Sequence, residues 1–253
     1  MENNTMKKKS AFTLAEVFHP AEQSRRNAFT LAEVLITLSI IGIVAALTMP
    51  ALIQNHQKKS TAVQLRKAYA EMSQALKLAE VEYGEMANWD LGGCTDNLCA
   101  TKYFFDNYLK LKFLKKCIPT TSECWSNTYA PDGSPATFKA QMGHGGYSSV
   151  ITASGYSLFS QIASLNNTKL NNIVVDINGK KGPNKLGRDV FLFAIRFENK
   201  FPNFYLEAIK NNDEVLDYCT KDCSKFSNIN YCGRTCGSKI ERNGWEIPAD
   251  YPW

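Results

Sequence analysis

The sequence predicts an α+β chain. One long N-terminal helix, transmembrane and then amphipathic, packs on an antiparallel β-sheet head that carries a disulfide-containing C-terminal extension. Three observations predict it. Residues 34–57 contain no Asp, Glu, Lys or Arg, and Val34 to Ile53 is almost wholly apolar. Apolar residues then recur at helical spacing as far as Tyr83. Beyond Tyr83, short strand-like runs alternate with Gly- and Asn-bearing turns, and all eight cysteines lie there.

The apolar run comes first. A helix of about 20 apolar residues spans the ~30 Å hydrocarbon core of a bilayer, and this run is long enough. Lys7, Lys8, Lys9, Arg25 and Arg26 precede it, so the positive-inside rule keeps the N-terminus cytoplasmic and sends the head outward. A secretory signal would place a small-residue cleavage site after a shorter apolar core. Here the conspicuous boundary, Arg25-Arg26-Asn27-Ala28-Phe29, lies before the core. One carboxylate, Glu33, stands at its head. Such a group is costly in hydrocarbon unless it reaches the headgroups or finds a partner.

A basic leader, then Phe29-Thr30-Leu31-Ala32-Glu33, then an apolar helix resembles the type IV prepilin and type II secretion pseudopilin family. The resemblance implies cleavage between Ala28 and Phe29 by a membrane prepilin peptidase, with N-methylation of Phe29. It also implies an assembly role for Glu33, Gly42 and Pro50, which fall where the family often has Glu, Gly and Pro. In the family the acid pairs with the freed amine of a neighbouring subunit. Where the family usually has Gly before the cut, this chain has Ala28. Implied partners are the membrane, other pilin or pseudopilin subunits in a homo- or hetero-polymer, and assembly-platform proteins. The implied location is the bacterial cytoplasmic membrane, single-pass with the head outside, and then a cell-surface or periplasmic filament.

Residues 11–17, AFTLAEV, repeat letter for letter as residues 28–34. After the first copy, Phe18-His19-Pro20-Ala21-Glu22 cannot continue a membrane helix, because Pro breaks it and charge opposes burial. The first copy reads as a vestigial duplication, and cleavage before Phe12 as the lesser alternative.

Beyond the span, Leu65, Tyr69, Met72, Leu76, Ala79 and Tyr83 form a stripe at three- and four-residue spacing, with charged residues between them. The stripe predicts a helix from about Phe29 to Tyr83 whose second part packs on the head's own sheet, with Gly42 and Pro50 as the points of softening. A short helix is expected around Lys102 to Lys115, with Tyr103, Phe104, Tyr108, Leu111 and Leu114 on one face. Strands are expected at Tyr147–Thr152, Tyr156–Ile162, Asn172–Ile177 and Asp189–Phe197, with a fifth at Phe204–Ile209 and a tight Ala153-Ser154-Gly155 connection. The expected organisation is a leader at 1–28, a membrane and assembly segment at 29–53, an amphipathic continuation at 54–83, a head at 84–218 and a Cys-rich extension at 219–253.

The stretch from Val175 to Phe191 is the second distinctive motif and resembles a loop common in pilin-like heads. It offers Asp176, Asn178, Asn184 and Asp189 as oxygen ligands, the donors that calcium takes six to eight at a time. It departs from an EF-hand loop, because the Gly comes two residues early and no Glu closes it. Two readings stand: a structural calcium site, or a plain hairpin with Asn178-Gly179 and Pro183-Asn184 as turn dipeptides.

Cys94, Cys99, Cys117, Cys124, Cys219, Cys223, Cys232 and Cys236 make an even count in an exported domain, which reads as disulfides. Proximity favours Cys94–Cys99 and Cys117–Cys124, with two bridges among the last four; zinc at those four is the alternative, though structural zinc more often has two-residue spacers. The aromatic tail from Asn243 to Trp253 is expected as an extended strip on the head, with surface or glycan binding by Trp245 and Trp253 as the minority reading.

The remaining composition excludes several classes. Lys+Arg number 29 against Asp+Glu 24. Removing residues 1–28 takes five bases with three acids (Glu2, Glu16, Glu22) and leaves 24 against 21. That balance is too mild for nucleic acid. His19, His56 and His144 are scattered, and no nucleophile motif or nucleotide loop is present. The chain reads as an enzyme's substrate and not as an enzyme. Two classes remain: a polymerising structural subunit, or a minor tip subunit binding a surface, glycan or DNA.

Overall fold

A computed structural model describes residues 30–109, 111–117, 124–136, 148–161, 171–179, 181–198, 201–206, 210–211, 214–215, 218–227 and 229–253. The chain divides into two compact units, residues 1–50 and 51–253.

In the first unit the described residues are Thr30 and the opening of helix α1 (Leu31–Tyr83). Its large apolar side chains, among them Leu35, Ile40, Ile43 and Leu47, are exposed. An 18-residue window of α1 averages a mean hydropathy of 2.3, long and apolar enough to cross a membrane. The few polar groups here are satisfied within the helix. The hydroxyls of Thr37, Ser39 and Thr48 donate to the carbonyls of Val34, Leu35 and Val44 at 2.9, 2.7 and 2.9 Å. A lipid-facing helix needs this, since hydrocarbon offers no other partner.

In the second unit, one face of α1 is buried through Thr61, Ala62, Leu65, Ala68, Met72, Ala75, Leu76 and Ala79. Alanine at four of these positions lets the helix lie close to the sheet, and the expected stripe is the face that packs. Tyr69 stacks on Phe193 with ring centroids 6.1 Å apart, and Tyr83 meets Tyr108 edge-on.

The head is a six-stranded antiparallel sheet. Its strands are β1 (Phe113–Cys117), β4 (Ser148–Thr152), β5 (Ser157–Gln161), β6 (Asn171–Asp176), β7 (Val190–Glu198) and β8 (Phe201–Leu206), in that spatial order. Val150 pairs with Leu158, and Phe159 with Val174, which pairs with Leu192. Period-two alternation then sorts the side chains. Val150, Leu158, Ile173, Val175, Phe191 and Phe193 join the helix residues in the main core. Phe159, Val174, Val190 and Leu192 face a second core with Trp125, Ala136 and Leu186. That second layer is completed by the small hairpin β2 (Thr128–Tyr129) and β3 (Pro135–Ala136), which turns at Pro131-Asp132-Gly133. A further two-stranded hairpin joins β9 (Lys210–Asn211) and β10 (Glu214–Val215).

Five expected strands and the 153–155 turn appear within a few residues of their expected places, the fifth as Phe201–Leu206. The short helix does not. Asp96 caps helix α2 (Asn97–Tyr103) by accepting from the Cys99 N–H at 2.8 Å, so helix begins earlier than Lys102. A π-helical turn follows over Phe104–Tyr108, and Leu109 then leaves helical dihedrals at φ −83° and ψ 85°. Residues 113–117 are β1, paired antiparallel with β4, whose backbone groups on that edge a helix at 113–117 would leave unpaired. Leu114, assigned by spacing to an apolar helix face, is 71% exposed on this edge strand.

The extension folds as short 3-10 turns and helix α3 (Cys236–Arg242). Its tail lies on the main core as expected: Tyr251 is buried, and Trp245, Ile247 and Trp253 are half-buried.

Gly187 is where extension and sheet touch closest. It sits at φ 78°, and a Cβ there would stand 2.6 Å from the Cys236 Sγ. Gly187→Ala is expected to cost about 3 kcal/mol or more, from backbone strain plus overpacking. Gly93→Ala, at φ 74° with open space around it, should cost only about 1–2 kcal/mol. Chemical denaturation of the two variants measures the difference.

Candidate functional site

Two places carry chemistry. In the first unit the cleavage pair Ala28 and Phe29 lies outside the described residues. Glu33 begins α1, and its carboxylate accepts from the Thr30 backbone N–H at 2.8 Å and from the Thr30 hydroxyl at 2.9 Å. The Glu33 N–H donates back to Thr30 Oγ1 at 3.2 Å. This is a capping box, which satisfies helix-end donors reciprocally. Thr30 is thus the helix cap that holds the Glu33 carboxylate, and Thr-x-x-Glu is its signal in the sequence. Gly42 and Pro50 both lie exposed within α1, and nothing approaches Gly42 within 4 Å.

The second place is the β6–β7 loop, and it brings Asp176, Asn178, Asn184 and Asp189 together. Asp176 ends β6 and Asp189 precedes β7, both almost fully buried at 2% and 3% exposure. Asp189 organises the loop. Its carboxylate accepts from the Asn184 N–H at 2.7 Å, the Lys185 N–H at 2.5 Å and the Asn178 side-chain amide at 3.3 Å. Asn184 takes φ 51°, a left-handed conformation that Asn tolerates. Asp176 accepts from the Asn178 N–H at 3.3 Å, and the Asn184 side-chain amide, with its nitrogen turned inward, donates to Asp176 Oδ2 at 3.0 Å and to the Lys181 carbonyl at 2.9 Å. Burial pushes the Asp189 carboxyl up to about 6, against the pull of its backbone donors. Burial and then the nearby Asp189 charge push Asp176 up to about 8. Desolvation disfavours the ionised form of each, and two facing carboxylates compound it.

Much of the second unit is tied to this loop. Tyr129 N–H donates to the Asn184 carbonyl and Leu186 N–H to the Tyr129 carbonyl, each at 2.8 Å, which attaches the β2–β3 hairpin. Thr61 of α1 donates its hydroxyl to the Arg188 carbonyl at 3.1 Å, and the Arg188 guanidinium donates to Gln57 at 3.0 Å. The Arg188 guanidinium also lies 4.9 Å from the ring centroid of Trp253. The Tyr251 hydroxyl donates to the Gly187 carbonyl.

All eight cysteines are paired: Cys94–Cys99, Cys117–Cys124, Cys219–Cys236 and Cys223–Cys232. The two local pairs are those proximity favoured. The last four are nested, with the shorter bridge inside the longer, and Gly233 at φ 83° lies within the ring they close. Zinc at these thiols is set aside. Trp245 packs on Tyr69 at 5.4 Å.

A charge-free apolar stretch headed by a capped Glu in the first unit, and an antiparallel disulfide-bonded head in the second, are the features of a type IV prepilin-like protein, the class that the next match indicates. Residues 23–49 match the prokaryotic N-terminal methylation motif. That motif implies processing by prepilin peptidase and assembly with pilin subunits. Residues 51–253 match the family of unknown function DUF6613, and the chain belongs to that family. No curated protein and no solved structure matches the chain.

Asp189→Asn replaces one acceptor oxygen by a donor that faces N–H groups. It is expected to cost about 2–4 kcal/mol of unfolding free energy, because buried amides lose a charged acceptor. Denaturant titration of the full chain in detergent checks this, with the exposed Asp222→Asn as a near-neutral control.

Proposed function

We propose that this chain is the precursor of a structural filament subunit, of either a type IV pilus or a type II secretion pseudopilus. Prepilin peptidase cuts it between Ala28 and Phe29 and methylates the new amine. The head is carried outside the cytoplasmic membrane, in the orientation that Lys7, Lys8, Lys9, Arg25 and Arg26 favour. Subunits then leave the bilayer and polymerise through the apolar segment.

The observation that carries this reading is the single acid Glu33 at the head of a charge-free apolar stretch with exposed side chains, inside the matched methylation motif at 23–49. In the lone chain Glu33 rests on Thr30, so its charge is partly compensated by N–H and O–H dipoles. The freed ammonium of Phe29 on a neighbouring subunit offers a full opposite charge in a low dielectric, which is a stronger partner. Exchange of the first partner for the second favours addition of a subunit. The inward packing of Trp245 on Tyr69, and of Trp253 beside Arg188, supports a structural role for the tail rather than an adhesive one.

Mass spectrometry of protein from its native host should find N-methylated Phe29 at the amino end. Protein retaining residues 1–28 in its assembled form would contradict the reading. Substitution separates charge from capping. Glu33→Gln keeps an oxygen to accept from Thr30 but carries no charge. Both Glu33→Gln and Glu33→Leu are expected to lower filament recovery from sheared cells at least about tenfold, the loss of roughly 1.4 kcal/mol per addition step. If Glu33→Gln assembles normally and only Glu33→Leu fails, the carboxylate serves as a helix cap alone.

A further inference from the structure

The start of the second unit carries a basic and aromatic groove that the filament reading does not use. Lys58 and Lys59 are the first charged residues after Glu33, since residues 34–57 contain none. With Val63 they line one wall of a groove of about 480 Å³, and Trp245, Glu246 and Ile247 line the other. Leu52, Lys59 and Val63 lie seven and then four residues apart, so they share one face of α1. Leu52 is 70% exposed and Val63 68%, which leaves apolar surface open on both sides of the lysines.

The far wall is fixed by its own hydrogen bonds. Beyond the end of α3, the Trp245 N–H donates to the Ile240 carbonyl at 2.9 Å, and the Asn243 side-chain amide donates to the Glu246 carbonyl at 3.0 Å. Trp245 takes φ 66°, a left-handed conformation that a bulky side chain rarely adopts, and its ring rests on Tyr69 while staying half-buried. Among the described residues neither Lys58 nor Lys59 forms an ion pair. Glu246 is the one acid on the groove walls, so two cations face one carboxylate and positive charge is in excess. A third cation, Arg188, donates to Gln57 one residue before the lysines and lies against Trp253.

Depth identifies the occupant. Lys58 and Lys59 lie five and six residues beyond Ile53, the end of the apolar run, or about 8 Å along the helix. A bilayer with ~30 Å of hydrocarbon measures ~40–45 Å with its headgroups, which leaves about 5–8 Å for each headgroup layer. The two ammonium groups therefore stand at phosphate depth, in the layer that Trp also favours. We propose that this groove seats one anionic phospholipid headgroup of the membrane surface, its phosphate held by Lys58 and Lys59 and its glycerol lying against Trp245. The occupant is a lipid and not a free anion, because a small ion would leave the flanking Leu52 and Val63 uncovered. The proposal rests on the membrane-anchored reading above and goes beyond it: the seated lipid holds the second unit against the bilayer surface until the subunit leaves.

Native mass spectrometry of the full chain, released from uncharged detergent micelles and titrated with phosphatidylglycerol, tests the seat. The expected result is one phosphatidylglycerol retained per chain, bound at least about tenfold more tightly than phosphatidylcholine, whose headgroup cancels the phosphate's charge. Lys58→Ala combined with Lys59→Ala should weaken phosphatidylglycerol binding at least about tenfold. Lys77→Ala combined with Lys221→Ala removes the same charge from exposed positions elsewhere and should change it less than about twofold. Glu246→Gln should tighten binding about two- to fivefold, since its carboxylate repels the phosphate. Equal affinity for the two lipids, equal loss in the two double variants, or no gain in Glu246→Gln overturns the seat. Displacement of the lipid by an equal concentration of inorganic phosphate also overturns it, as a free-anion site would show. Should Lys58→Ala combined with Lys59→Ala fail to fold, the lipid comparison and Glu246→Gln still decide. Flotation of the parent chain with vesicles tests the anchored reading separately. A chain that stays unfloated contradicts that reading, whereas one that floats yet binds both lipids alike contradicts the seat alone.

Discussion

The second unit depends on one carboxylate and the amides it gathers. Asp189 draws the N–H groups of Asn184 and Lys185 and the side chain of Asn178 into a closed loop at the start of β7. Without that acceptor, buried donors would face apolar surroundings, at about 1–3 kcal/mol each. The closed loop presents outward-facing carbonyls and a close-packed glycine, and the other parts of the unit use them. Asn184 holds the β2–β3 hairpin, Arg188 holds α1, and Gly187 meets Cys236 and Tyr251. Two disulfides, Cys219–Cys236 and Cys223–Cys232, cross-link the extension seated there.

The first unit answers to a different solvent. Among its described residues the apolar side chains face outward, the hydroxyls of Thr37, Ser39 and Thr48 fold back onto helix carbonyls, and the one acid, Glu33, is paired with Thr30. Those are the conditions under which a helix is stable in lipid. The chemistry of the head is thus about holding shape, and that of the N-terminal segment is about satisfying its own polar groups.

How much was legible in the sequence follows from how local each signal is. The membrane segment and the β6–β7 loop were readable because their residues are contiguous: a charge-free run from Val34, and Asp176, Asn178, Asn184 and Asp189 within a single hairpin. The strands from 148 to 198 were readable from alternation bounded by turn residues. Residues 102–115 were not, because Tyr103, Phe104, Tyr108, Leu111 and Leu114 have helical spacing while pairing with β4, far along the chain, sets the local structure of the last part. Nested pairing of Cys219, Cys223, Cys232 and Cys236 was equally hidden, since the spacing allows sequential and nested bridges alike. The Thr30 cap was visible as Thr-x-x-Glu, the pattern by which a side-chain oxygen and a carboxylate satisfy helix-end donors reciprocally.

Backbone amide hydrogen exchange of the full chain in detergent tests the dependence on Asp189 most directly, because it reads the two N–H groups themselves. Loops ordinarily exchange rapidly and sheet cores slowly. The account predicts that the Asn184 and Lys185 amides, though in a loop, exchange as slowly as the β6 and β7 amides of Val174 and Leu192. Exchange of both at the rate of the exposed 153–155 turn would contradict it.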